Sequence, residues 1–151
     1  MISLIPEQVD FRITATDLEV TYTESGGVSV RIDIQQREDV EKNHYREMLL
    51  QFRTVAELRC VTMNFFEMNH GHIEMPSAPD NVLSFWSRHG YHPEPGLYRI
   101  DNSAILRDKE NLFDPHHRLG LQHYLIMGYD SHIEVISSGY EYRMIESTLH
   151  I

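Results

Sequence analysis

Only one cysteine, Cys60, occurs in the 151 residues, so no intrachain disulfide can form and a secreted, disulfide-built scaffold is excluded. Between Arg59 and Val61, it is expected to be a small buried residue and not a catalytic thiol. No window approaches the ~20 apolar residues that a membrane-crossing helix needs. The start, Met1 to Glu7, has neither a basic n-region nor an apolar run of signal length, so a cytoplasmic protein with no membrane partner is expected. Positive charge is scarce too: 13 basic residues stand against 23 acidic ones, for a formal net charge of −10. The basic residues never cluster among aromatics, which argues against a nucleic-acid partner. Missing as well are a nucleophile elbow, a phosphate-binding glycine loop, a Cys-x-x-Cys pair, an internal repeat and an interdomain linker.

What is present suits an ordinary globular chain, with 41% hydrophobic and 24% charged residues. A single domain over residues 1–151 is expected, large enough to bury roughly 68–70% of its unfolded surface. The first third alternates at period two. Val9, Phe11, Ile13 and Ala15 form one set, Leu18, Val20 and Tyr22 a second, and Val28, Val30, Ile32 and Ile34 a third. Gly26-Gly27 between the last two sets marks a hairpin turn, and the one-sided alternation makes the sheet antiparallel. Residues 37–43 read as a charged connection. Tyr45 to Phe52 and Glu57 to Phe66 read as two strands, the segment around Arg46 to Leu50 also suiting a helix. Two prolines at 76 and 79 mark a surface loop, and Val82 to Trp86 is a short helical turn or strand. A strand over Leu97–Ile100 leads to Asp101-Asn102-Ser103, any of which can cap a helix running to Leu112 and ending at Asp114-Pro115. Strands from Leu121 to Met127, His132 to Ser137 and Tyr140 to Ile145 close the chain. The fold class expected is α+β, predominantly antiparallel β-sheet with one or two short helices.

Ten histidines are the most unusual feature of the composition. His70, His72 and Glu74 alternate on an extended chain and are the weak candidates for a metal. The pair is similar to the His-x-His core of cupins, but the cupin carboxylate comes several residues later than Glu74, and no second cupin half follows. A polar loop is the expectation here, with no metal and no cofactor. Met63, Met68, Met127, Phe65, Phe66, Phe85 and Trp86 are expected in the core. Serine, histidine and acid are all available, but a triad is defined by geometry and not by inventory.

The last hairpin is more informative. Its turn at Gly128 to Ser131 places Met127 opposite His132, Leu125 opposite Glu134 and His123 opposite Ile136. Tyr124, Ile126, Ile133 and Val135 then share an apolar face directed to the core. The other face mixes His123, Leu125, Met127, His132 and Glu134, with His123 diagonal to Glu134 at a reach of about 7–8 Å. Those five residues are the candidate binding site; an ordinary wet sheet face is the alternative.

Pro95-Gly96-Leu97-Tyr98-Arg99-Ile100-Asp101-Asn102-Ser103, with the later run His123 to Ile136, resembles a group of small, functionally uncharacterised bacterial proteins. Some of their relatives resemble immunity proteins of polymorphic-toxin systems. The resemblance covers the second half of the chain and transfers no functional residue. It implies a non-catalytic, acidic binding protein, an immunity-type inhibitor meeting a basic protein partner. A small metal-dependent enzyme using histidine and carboxylate ligands, and a structural or homo-oligomeric module, remain open beside it.

Overall fold

The computed structural model describes residues 1–14 and 17–145. In chain order the elements are β1 (Ile2–Pro6), β2 (Arg12–Ile13), β3 (Glu19–Thr23), β4 (Gly27–Gln35), α1 (Arg37–Lys42), β5 (Arg46–Val61), α2 (Phe65–Met68), β6 (Ile73–Glu74), α3 (Val82–His89), β7 (Leu97–Ile100), α4 (Ala104–Phe113), β8 (Gln122–Met127) and β9 (His132–Met144). The nine strands form one sheet in the order β2-β4-β5-β9-β8-β7-β1-β6, with β3 also paired to β4. Every pairing is antiparallel except β1 with β6. The α+β, mainly antiparallel class is as the alternation dictates, with four short helices where one or two are expected. No helix among the described residues is long and apolar enough to cross a membrane.

The β3–β4 hairpin turns where the glycines stand. Gly27 has φ +71°, and Thr23 Oγ1 accepts the Gly26 N–H at 2.8 Å. Val28, Val30, Ile32 and Ile34 point inward and are buried. The two strands expected at Tyr45–Phe52 and Glu57–Phe66 are a single 16-residue strand ending at Val61. A bulge joins its halves: the register against β9 shifts between Val55 and Glu57, beside Thr54 at φ +52°. Past Val61 the expectation fails, because Asn64 accepts the N–H groups of Phe66 and Glu67 and starts the one-turn α2, which takes in Phe65 and Phe66.

The charged segment 37–43 is helical, not a connection. Gln36 and Asp39 make a capping box, and Arg46 clamps the buried Asp39 carboxylate at 2.8 and 3.0 Å. Burial opposes ionisation of Asp39. The Arg46 bonds, with those from the Gln36 N–H and His44, win and hold its pKa at about 2. Only Arg12–Ile13 of the expected Val9–Ala15 strand pairs; Ala15 lies outside the described residues.

The sheet curls into a half-barrel. Ile13 N–H donates to Pro95 O at 2.8 Å, so β2 at one end of the strand order returns to the approach of β7. Gly96, at φ +82°, permits this seam: a Cβ there would stand 2.8 Å from Ile13 Cβ. Inside the curl lies the main core, in which Phe11, Val30, Ile32, Leu50, Phe52, Ile126, Ile133 and Val135 meet. Each such side chain contributes roughly 1.5–3 kcal/mol by leaving water. A second apolar cluster of Leu4, Phe65, Tyr98, Ile100 and Leu125 lies on the outer face of β1, β7 and β8.

Candidate functional site

The β8–β9 register is the one expected, with Met127 opposite His132, Leu125 opposite Glu134 and His123 opposite Ile136. Tyr124, Ile126, Ile133 and Val135 belong to the inner core. The other face is not wet, however. His123, His132 and Glu134 are all buried, Glu134 with 6% of its surface exposed. Three elements cover them. α4 lies across one side, tied down by Lys109 Nζ on Glu57 at 2.7 Å. α2 lies on the other, with the Phe65 ring edge-on to His132 at 5.1 Å between centroids. The segment between β5 and α2 supplies the Met63 carbonyl, which accepts from His132 Nδ1 at 2.8 Å.

One carboxylate organises this interior. Glu134 Oε1 accepts from His123 Nε2 at 2.7 Å, so the pair expected to lie diagonally apart is in direct contact. Glu134 Oε2 stands 3.3 Å from His132 Nε2 and 3.4 Å from Arg59 Nη1. Arg59 arrives from β5, where it pairs with Glu134 across the β5–β9 ladder. Both nitrogens of His132 thus face oxygens, Nδ1 the Met63 carbonyl and Nε2 the Glu134 carboxylate. Burial favours the neutral acid at Glu134. The hydrogen bonds from His123 and His132 and the charge of Arg59 overcome this, and its pKa falls from 4.5 to about 2. Glu134 is therefore a carboxylate at neutral pH.

On the far side of His123, Ser103 Oγ lies 2.6 Å from Nδ1. Ser103 is the N-cap of α4, its hydroxyl oxygen accepting the Leu106 N–H at 3.0 Å. Of the three cap residues read from the sequence, the helix uses the third. An open cavity of about 360 Å³ adjoins this group, lined by Ser103, His123, Glu134 and Arg59 and by the apolar side chains of Ile2, Phe65, Met68, Ile100 and Ile105. Asn69, His72 and Asn102 line it too.

The five candidate residues thus divide. His123 and Glu134 line the cavity, and His132 lies beneath, bonded to Glu134. Leu125 is buried in the second apolar cluster, Met127 packs against that cluster, and neither is among the lining residues. Sequence reasoning missed Arg59, which the strand pairing of β5 with β9 alone brings in, and Ser103, visible only as a helix cap. It also misplaced three sulfur-bearing residues. Cys60 is exposed, not buried, because β5 beyond Phe52 pairs with β9 alone and its other edge is open. Met63, ahead of α2, and Met68, at its end, are exposed at 53% and 41%. His70, His72 and Glu74 are exposed around the turn into β6, and among the described residues no group of three or more His, Cys, Asp or Glu side chains is arranged to hold a metal ion.

Fold and site together define an α+β half-barrel with a buried Ser–His–Glu constellation at the floor of an outer cavity. Compared with known proteins, the chain matches no protein-family model, no curated protein and no solved structure.

Proposed function

We propose that the chain is a binding protein whose working surface is the outer cavity between α2 and α4, where it takes a compact apolar group of a neutral or cationic partner. The observation that carries this is the cavity itself. Its volume of about 360 Å³ lies in the range of ligand pockets, and its apolar walls surround a few convergent polar groups. Exposed Glu67 and Asp101 adjoin the lining residues Met68 and Asn102, and the net charge of −10 repels anions. Arg59 does not reverse this, being paired with Glu134. An immunity-type role with a basic protein partner is the form of this reading that the sequence resemblance implies.

Butyrophenone, a small neutral ketone, is a suitable probe. Titrated into labelled protein, it should move the NMR signals of Ile2, Phe65, Ile100 and Ile105 in a saturable way. Ile105→Trp, which fills the cavity from its rim, should abolish those shifts. Shifts scattered over the sheet, or unchanged in Ile105→Trp, would overturn the reading.

A further inference from the structure

The polar floor of the cavity is more ordered than the seating of an apolar group requires. Ser103 Oγ already accepts the Leu106 N–H, and its own proton is free to go to His123 Nδ1 at 2.6 Å. That leaves the ring's proton on Nε2, where Glu134 accepts it at 2.7 Å. Hydroxyl, imidazole and carboxylate therefore form one directed chain. The imidazole carries it in either orientation, since both ring nitrogens can take or give a proton.

We propose that Ser103, His123 and Glu134 form a nucleophile–base–carboxylate triad that hydrolyses a carboxylic ester whose apolar acyl group is seated in the outer cavity. This rests on the reading of that cavity as the binding surface and names its substrate class.

Three further observations support it. Ser103 lines the cavity, which puts it beside the space a carbonyl would occupy. Ala104 and Ile105 line it as well and are the first two residues of the ten-residue α4. First-turn N–H groups have no intrahelical partner, and they stand at the positive end of the helix dipole, which suits a developing oxyanion. Glu134 is itself fixed by His132 and Arg59, so it orients His123 and balances an imidazolium. Glu134 acts through His123 as a positioning residue.

The step balances without any added reagent but water. Ser103 Oγ attacks the carbonyl carbon, its proton passes to His123 Nδ1, and the carbonyl π pair moves onto oxygen. Collapse expels the alkoxide, which takes the proton from Nδ1 and leaves as the alcohol, with the acyl group on Ser103. Water then attacks, giving its proton to Nδ1, and the carboxylic acid departs as that proton returns to Oγ.

Diisopropyl fluorophosphate tests the nucleophile on the native protein. A single adduct mapped to Ser103 is expected. Hydrolysis of p-nitrophenyl butyrate should fall at least ~100-fold in His123→Gln and in Ser103→Gly. Glycine keeps much of the helix cap, and retained butyrophenone binding with unchanged circular dichroism shows that the fold survives. Butyrophenone binding with no adduct and no hydrolysis overturns the triad and leaves the binding reading standing. Neither binding nor adduct overturns both. An adduct on another residue, or hydrolysis persisting in His123→Gln, also overturns the triad.

Discussion

Glu134→Gln exchanges one oxygen for an amide nitrogen and leaves the shape of the side chain intact, so it isolates what the charge does. The amide oxygen can accept from His123 Nε2, as Oε1 does at 2.7 Å. The amide nitrogen then occupies the place of Oε2, beside His132 Nε2 and donor to donor with Arg59. His132 can answer as a neutral ring, its Nδ1–H kept on the Met63 carbonyl and its Nε2 accepting the amide N–H, so the charge left without a partner is that of Arg59. Removing one member of a buried ion pair costs about 3–5 kcal/mol, and the surviving bond to His123 puts the expected loss near the lower end. The titration of Glu134 gives an independent figure. A fall from 4.5 to about 2 corresponds to a contribution on the order of 3 kcal/mol at neutral pH. Arg59, 44% exposed, adds little to it. The sign also predicts a pH dependence. A carboxylate whose pKa is depressed by folding contributes fully above 4.5 and loses that contribution as pH falls toward 2. Urea unfolding followed by circular dichroism should show the midpoint of the variant lowered by roughly 1–2 M at pH 7, for an m-value near 2 kcal/mol/M. The gap should narrow to roughly half at pH 3. An unmoved midpoint at pH 7, or a gap that stays constant down to pH 3, would refute the reasoning.

Other expectations are briefer. Ile133→Ala should cost about 2–5 kcal/mol in the same urea assay, since Ile133 is buried in the inner core and its loss leaves a cavity. Gly96→Ala should lower stability by roughly 1–3 kcal/mol, because it places a Cβ 2.8 Å from Ile13 Cβ at φ +82°; an unchanged melting temperature would mean that the seam is not closed as described. Cys60 should react with Ellman's reagent in the folded protein at a rate close to that in urea, whereas strong protection would contradict its exposure on the open edge of β5.

What the sequence made legible was local. In the β8–β9 hairpin, two strictly alternating strands flank a glycine-containing turn, and a slip of one residue would have put Ile133 outside and Glu134 inside the core. Only one register was compatible with the pattern. The same held for β3 and β4 about Gly27. What escaped was set by distance along the chain. α1 has few apolar residues and depends on the reach of Arg46 to Asp39, which no local pattern shows. The strand β1 was overlooked because it is short, ends at Pro6, and gains its place by pairing with β7, far along the chain. In the site, His123 and Glu134 were visible as neighbours on one face, but their burial was not. It depends on α2 and α4 folding over that face, and the apolar residues that would have announced a cover, Phe65 and Phe66, read as the end of a strand. Ser103 carried a real signal as a cap; its second bond, to His123, needed the helix to be placed.

The long β5–β9 ladder bears on how the site keeps its shape. Arg59, His132 and Glu134 all stand on that ladder, which runs from Met48 opposite Met144 to Val61 opposite His132 in the middle of the sheet. Residues 133–135 of β9 are paired on both sides, by β5 and β8, so their amides should be among the slowest of the described residues to exchange. The roof is built otherwise. α2 is a single turn, and α4 buries none of its residues fully. Their hold on the sheet rests on a few contacts, Phe65 in the second apolar cluster, Ser103 on His123 and Lys109 on Glu57. The open cavity thus has a floor of His123 and Glu134 fixed by the sheet and a wall that includes Ser103 and Ile105 fixed only by α4, so how firmly α4 is held sets how well the two halves of the site stay aligned.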